Sequence, residues 1–306
     1  MVKKSVAFAK RNRKKLLFYC AVLALPILQF CVFYIGVNLN SVFLAFRRYD
    51  FGTGGFVWAG FDNLEQACRD LIELDMFRSS TKNSIIVFLF TQLFGISFAL
   101  IFSYFIYKKM TGSGFFKVIL FMPQIVSSVV MVIIYKYFVE RAYSAVVEML
   151  TGNTAEGLLA SPDTRFGTIL FFTIWAGFGT QVLMYTSAMG GISESVVDAA
   201  RIDGASPLRE FWNITIPGVW STLVTFVTVG VAHIFTNQMN LYSFYGTQAD
   251  YDLYTFGYFL YKSVQETKSM TNYPYIASFG LIFTVIAVPL TFAVKWLLER
   301  FGPKTD

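Results

Sequence analysis

Charge is scarce in this chain. Only 14% of its 306 residues are Asp, Glu, Lys or Arg, where a soluble domain carries about a quarter. Histidine is nearly absent: His233 stands alone, so no His cluster can hold a metal. The 3 cysteines build no framework either, since Cys20 and Cys31 lie on one apolar run and Cys68 sits by itself in a loop. There is no G-x-x-x-x-G-K-[ST] segment, which excludes a nucleotide held through a P-loop of the chain's own. No arrangement of nucleophile and base appears, so no catalytic residue and no bound cofactor are expected.

What fills the sequence is apolar. Hydrophobic residues make up 55%, 34 residues are Phe, and mean hydropathy is +0.54. This is the composition of a polytopic membrane protein in contact with lipid. Six spans of roughly 20 residues each would use less than half of the chain, leaving loops but no room for a separate catalytic domain.

The runs are legible one by one. A basic stretch, residues 1–15, precedes an apolar run from Leu16 to about Phe46, too long for a signal peptide and without an A-x-A site. Five more follow, at about Ser84–Tyr107, Phe115–Phe138, Phe166–Ala188, Val219–Met239 and Ile276–Val294. The expected organisation is a basic terminus at 1–15, an all-α six-helix membrane domain at 16–298 and a tail at 299–306.

An even number of spans places both termini on one side, and the basic residues say which. With the amino end in the cytoplasm, the inner segments hold 15 Lys and Arg and the longer outer loops 10, the bias expected when positive charge stays inside. The net charge of +6 is thereby accounted for without a nucleic-acid partner. Two outer segments have their own character. Leu64, Ala67, Leu71 and Leu74 fall at helical spacing with acids opposite, so 63–77 reads as a helix lying on the outer surface. The loop from Leu241 to Tyr275 carries eight tyrosines, which suit an interfacial aromatic belt or a protein contact.

One polar segment remains, the loop 190–217, SESVVDAARIDGASPLREFWNITIP in its main part. Ser193 or Ser195 can cap a first helix, with Ser195 and Asp198 in the S-x-x-D pattern. Gly204 stops that helix, Ser206 and Pro207 start a second, and Pro217 closes the segment. Leu208, Phe211 and Trp212 make an apolar stripe at i, i+3 and i+4. Two readings stand for that stripe: it rests on the membrane surface, or it packs against a partner.

The run Asp198-Ala199-Ala200-Arg-Ile-Asp-Gly204, followed by Ile214-Thr-Ile-Pro217, resembles the E-A-A-x-x-x-G…I-x-L-P loop of binding-protein-dependent ABC importer permeases. Asp198 replaces the usual Glu and Ile216 the usual Leu, acid for acid and aliphatic for aliphatic. The wider chain is similar to the carbohydrate-uptake branch of that family, the six-span permeases of the maltose/glycerol-3-phosphate type, through FVWAGFDNL at 56–64, FMPQIVSSVVMVIIYKYF at 121–138 and YPYIASFG at 273–280. The resemblance implies a type I importer permease fold. It also implies a cytoplasmic loop whose two coupling helices dock on an ATPase, and three partners: a second permease subunit, an ATPase dimer that itself binds ATP and Mg, and an extracellular solute-binding protein delivering a saccharide.

A solute path through hydrocarbon must replace lost water hydrogen bonds, so polar residues inside the apolar runs are its candidates. These are Gln124 after Pro123, Thr180 and Gln181 in the fourth run, and His233, Asn237 and Gln238 late in the fifth. The resemblance adds Gly177 and matches Gln124, Thr180 and Asn237 to solute positions. The alternative for each amide is an interhelical hydrogen bond, worth about 0.6–2 kcal/mol, and for His233 a packing role. A stand-alone transporter driven by ions or protons is the rival reading; it would be expected to show buried acids or inverted repeats, and neither is visible.

Overall fold

The computed structural model describes the backbone of residues 2–303 and the side chains of 15–303. The basic side chains before Lys15 and the last three residues of the tail lie outside the described residues. The chain forms two compact units, one built from its beginning through Cys68 together with Thr267–Leu281, the other from Arg69–Glu266 together with the part after Ile282.

In the first unit, α1 (Val2–Gln29) runs through a wide turn at Phe30–Gly36 into α2 (Val37–Ala45). Lys15–Ala45 is long and apolar enough to cross a membrane, and its apolar window is unburied. A short two-stranded hairpin follows in this otherwise helical chain: β1 (Arg47–Asp50) pairs antiparallel with β2 (Gly55–Trp58). Its turn is locally determined, because the Asp50 carboxylate accepts from the Thr53 hydroxyl at 2.9 Å and from the Gly52 amide at 3.3 Å. Those bonds, the Thr53 hydroxyl foremost, hold the Asp50 carboxyl below its ordinary pKa. The amphipathic segment is helical as expected, α3 (Asp62–Glu73). Asn63 on it ties down the preceding chain by donating to the carbonyls of Ala45 (3.0 Å) and Arg47 (2.7 Å).

In the second unit, α4 (Asp75–Phe90) passes through a wide turn at Thr91–Gly95 into α5 (Ile96–Tyr107), a continuous span of 33 residues. The third apolar run is not one straight span. It divides into α6 (Ser113–Ile125) and α7 (Ser128–Tyr137), bent by 106° and continued by α8 (Tyr143–Thr151). The break at Val126 and Ser127 lies just after Pro123, where extended backbone leaves the helix. The fourth run is α9 (Pro162–Gly177) and α10 (Gly179–Met189), joined at Phe178.

The loop folds as α11 (Glu194–Ile202), α12 (Pro207–Glu210), a wide turn at Phe211–Thr215 and α13 (Ile216–Gly218). Pro217 therefore lies inside the last short helix and does not end the segment. The fifth run departs from its expected bounds: α14 (Trp220–Ala232) stops seven residues early and is bent by 69° from the helices before it. The Tyr-rich loop contains α15 (Leu241–Tyr245) and α16 (Phe256–Glu266), with Tyr254 and Tyr258 almost fully buried. α17 (Tyr273–Phe301) is the last long apolar helix. Among the described residues four helices are thus long and apolar enough to cross a membrane singly, and up to six spans result if each bent pair counts as one.

The core of the second unit is a cluster around Ile96, Ala99 and Leu100 on α5 and Val182, Tyr185 and Met189 on α10, closed by Phe211 and Val219. At the other end, polar anchors hold the Tyr-rich segment. Asn83 donates to the carbonyls of Asp252 (2.6 Å) and Tyr254 (2.9 Å), and Arg165 pairs with both Asp250 (2.6 Å) and Asp252 (2.7 Å). Lys136 on α7 is tied to the same segment. Its ammonium donates to the Phe244 carbonyl at 3.1 Å and lies 5.6 Å from the centre of the Tyr245 ring. Asn83 is 6% exposed, so Asn83→Ala is expected to strand two acceptors and cost about 2 kcal/mol, read as a lower thermal midpoint and faster hydrogen exchange of the 250–258 amides.

Candidate functional site

The polar loop presents its surface in a definite way. Ser193 takes the position before α11, but its hydroxyl pairs with that of Ser195 at 2.7 Å and makes no cap bond. The expected Ser195 to Asp198 box is therefore not formed. Asp198 faces solvent and meets Arg201 at 3.2 Å, one turn along its own helix, an exposed pair worth less than about 1 kcal/mol. Ala199 is exposed and Ala200 half-buried, so the side of α11 beside Asp198 is low and open. Val197 is the residue that anchors the helix, 6% exposed.

Gly204 has φ +76°, a conformation that costs a residue with Cβ roughly 1–2 kcal/mol, and it turns the chain between the two helices. Ser206 then accepts from the Arg209 amide at 3.3 Å with Pro207 in the first turn, the cap read from sequence. The stripe divides. Phe211 is 9% exposed and packs edge-on against Tyr104 at 5.0 Å, whereas Leu208 and Trp212 are 68% and 60% exposed. The wide turn starting at Phe211 spaces side chains differently from an α-helix, which takes these residues off a common face. Ile202, 86% exposed, joins Leu208 and Trp212 as uncovered apolar surface on a segment that is otherwise polar.

The proposed path residues fall into two groups. Gln124 on α6 donates to the Ala176 carbonyl and accepts from the Thr180 hydroxyl at 3.3 Å, bridging two helices while remaining exposed. Gly177 has open space where a Cβ would be; Gly179, which sequence reasoning passed over, is the close-packed one, its hypothetical Cβ 2.5 Å from the Leu120 carbonyl oxygen. Gln181 is half-buried with its carbonyl oxygen unpaired.

The second group sits in the stretch between α14 and α15, which is not helical. His233, Asn237 and Gln238 therefore do not share a helix face. His233 contacts the Thr236 hydroxyl at 3.0 Å, and the Asn237 side chain accepts from the Met239 amide at 2.9 Å, closing a turn that places Met239 and Asn240 at positive φ. His233 and Asn237 line a polar cavity of about 50 Å³ with Ser84, Thr91, Gln92 and Gly230. Gln92 is the residue missed from sequence. Its carbonyl oxygen is buried without a partner, and the available signal was an amide inside an apolar run. An apolar groove of about 580 Å³, lined by Phe90, Phe94, Phe98, Phe102 and Trp175 among others, includes none of these path residues in its lining. Among the described residues no cluster of His, Cys, Asp or Glu could hold a metal.

The chain matches the sequence model of the binding-protein-dependent transport system inner membrane component over residues 92–306. A relative from Mycoplasma genitalium, named for an ABC transporter permease, is 28% identical over 166 residues; the match takes in 53% of this chain and spans about half, 50%, of that protein. The diacetylchitobiose uptake system permease protein NgcF of Streptomyces coelicolor is 22% identical over 72% of this chain and 67% of its own length. Among solved structures, a chain of a bacterial ABC transporter involved in the import of the acidic polysaccharide alginate superposes with a TM-score of 0.78 at 18% identity, covering 96% of this chain and 99% of that one.

Proposed function

The chain belongs to the binding-protein-dependent transport system inner membrane components, and on that premise we propose that it is a permease subunit of an ATP-driven saccharide importer. It forms half of the path with a second permease subunit in a bacterial cytoplasmic membrane, both termini inside. It receives solute from an extracellular binding protein, and it couples through 194–218 to an ATPase dimer that binds and hydrolyses the ATP. Closure of the ATPases moves the docked helices as rigid bodies and turns the path from one side to the other. The chain itself performs no hydrolysis.

The carrying observation is the uncovered apolar surface of Ile202, Leu208 and Trp212 beside the low face of Asp198 and Ala199. Apolar side chains gathered on a polar segment mark a contact surface, and the reversal at Gly204 sets both helices toward it. Neutral Gln, Thr and Asn in the candidate path support an uncharged saccharide, and the name of the Streptomyces relative points to one as well.

The test is retention. Purified with the proteins encoded beside it, the chain is expected to hold an ATPase, and Ile202→Asp with Leu208→Asp is expected to reduce that retention at least tenfold without altering the elution profile of the permease. Undiminished retention would remove the docking reading.

A further inference from the structure

Glu210 is the one buried acid of the loop, with its side chain 5% exposed, and it pairs with Lys108, 15% exposed, at the end of α5. The contact is framed by aromatics. The Lys108 ammonium lies 5.4 and 5.5 Å from the ring centres of Tyr104 and Tyr107, the Tyr104 hydroxyl donates to the Pro207 carbonyl at 3.0 Å, and Phe211 packs on the Tyr104 ring. The ion pair, the Tyr104–Pro207 bond and the Phe211 packing join the second loop helix and the turn after it to the same end of the same span.

A buried ion pair is weak evidence for stability, because apolar residues of similar volume often serve as well. Its geometric demand is another matter: a charge with its partner removed cannot stay buried, so the two segments carrying the pair are held in one arrangement. The outer surface of the loop, at Ile202, Leu208 and Trp212, is meanwhile left free. The span leads directly to the polar cavity, since α5 continues through Thr91–Gly95 and Gln92 lines that cavity. Sixteen residues separate Gln92 from Lys108, roughly 24 Å of helix.

We propose that Lys108 and Glu210 are a positioning pair that locks α12 to α5, so that displacement of the docking loop is carried along the span to the cavity at Gln92. This rests on the reading of the loop as the ATPase contact. The pair touches neither nucleotide nor solute and acts through the helix it holds.

The test uses the full complex in lipid nanodiscs, with Cys20, Cys31 and Cys68 replaced by Ser and Thr91→Cys as reporter in the cavity wall. Labelling by a membrane-impermeant maleimide is followed without nucleotide and with ATP and vanadate. With the pair intact, the labelling rate is expected to change at least fivefold between the two conditions. Lys108→Met or Glu210→Gln is expected to bring the change below twofold while the ATPase stays bound, and the exchange Lys108→Glu with Glu210→Lys to restore at least threefold. Single variants that keep the fivefold change overturn the proposal. So does an exchange variant that rescues nothing, or an intact complex that holds the ATPase and shows no change. An intact complex that holds no ATPase overturns the docking reading, and the pair's role falls with it.

Discussion

Gly257→Val is expected to lower the thermal midpoint more than any other single substitution in the Tyr-rich segment. A Cβ at 257 would lie 2.4 Å from the carbonyl carbon and oxygen of Thr236 and 2.5 Å from the carbonyl carbon of Asn237. Overpacking typically costs about 1–3 kcal/mol when side chains can yield; here the obstacle is backbone, so the cost lies at or above the top of that range. The backbone cannot simply step back, because the Thr255 hydroxyl donates to the Asn237 carbonyl at 2.8 Å and the Phe256 amide donates to the Ser84 hydroxyl at 3.0 Å. Displacing α16 would break both and move Asn237 out of the polar cavity. Gly257→Ala carries the same Cβ and should fall between wild type and Val. Size-exclusion profiles of heated, detergent-solubilised protein give the midpoint; a Val variant within a degree of wild type would show that α16 does not need this close approach.

That contact also explains what the sequence concealed. Val219–Met239 reads as one span because hydropathy averages over residues without regard to backbone conformation, and the nearest glycine, Gly230, lies inside the last turn of the helix and not after it. The residues that share in ordering His233–Asn240, Ser84, Thr255 and Gly257, lie far along the chain, so the departure from helix is set by tertiary contacts. Gln92 was obscured in the same way. Its cavity exists only once α4, the wide turn after it and the end of α14 are assembled, and a lone amide in the apolar run Ser84–Tyr107 carries no sign of that. The loop was far more legible, since the demands on Gly204, Ser206 and Pro207 are local: a positive φ, an orphan amide and a missing N–H. Even there the pattern misled where the helix changed pitch. The stripe of Leu208, Phe211 and Trp212 presumed regular α-helical spacing, and the wide turn left only Phe211 inside. Glu210, beside it, carries no local sign of its burial, because its partner Lys108 lies about a hundred residues earlier.

Gly179→Val is the second large effect, and it separates a structural role for Gln124 from a solute-lining one. The Cβ would meet the Leu120 carbonyl oxygen at 2.5 Å and the Gln124 side chain at 3.3 Å, so α10 and α6 would have to part. The expected cost is again about 3 kcal/mol, with loss of the Gln124 contacts to Ala176 and Thr180 as a consequence. Gln124→Leu removes those same contacts and leaves the helices in place. An interhelical hydrogen bond is worth only about 0.6–2 kcal/mol, and Gln124 is exposed enough for water to have competed for it, so this variant should shift the midpoint by far less. The comparison is decisive through its order. If Gln124→Leu cost as much as Gly179→Val, the amide would be structural and the seam would be held by its bonds. If the steric variant dominates, the seam is held by close backbone approach. The Gln124 amide can then release Thr180 and turn to a passing hydroxyl at little cost to the fold, which is what a solute-lining residue must be able to do.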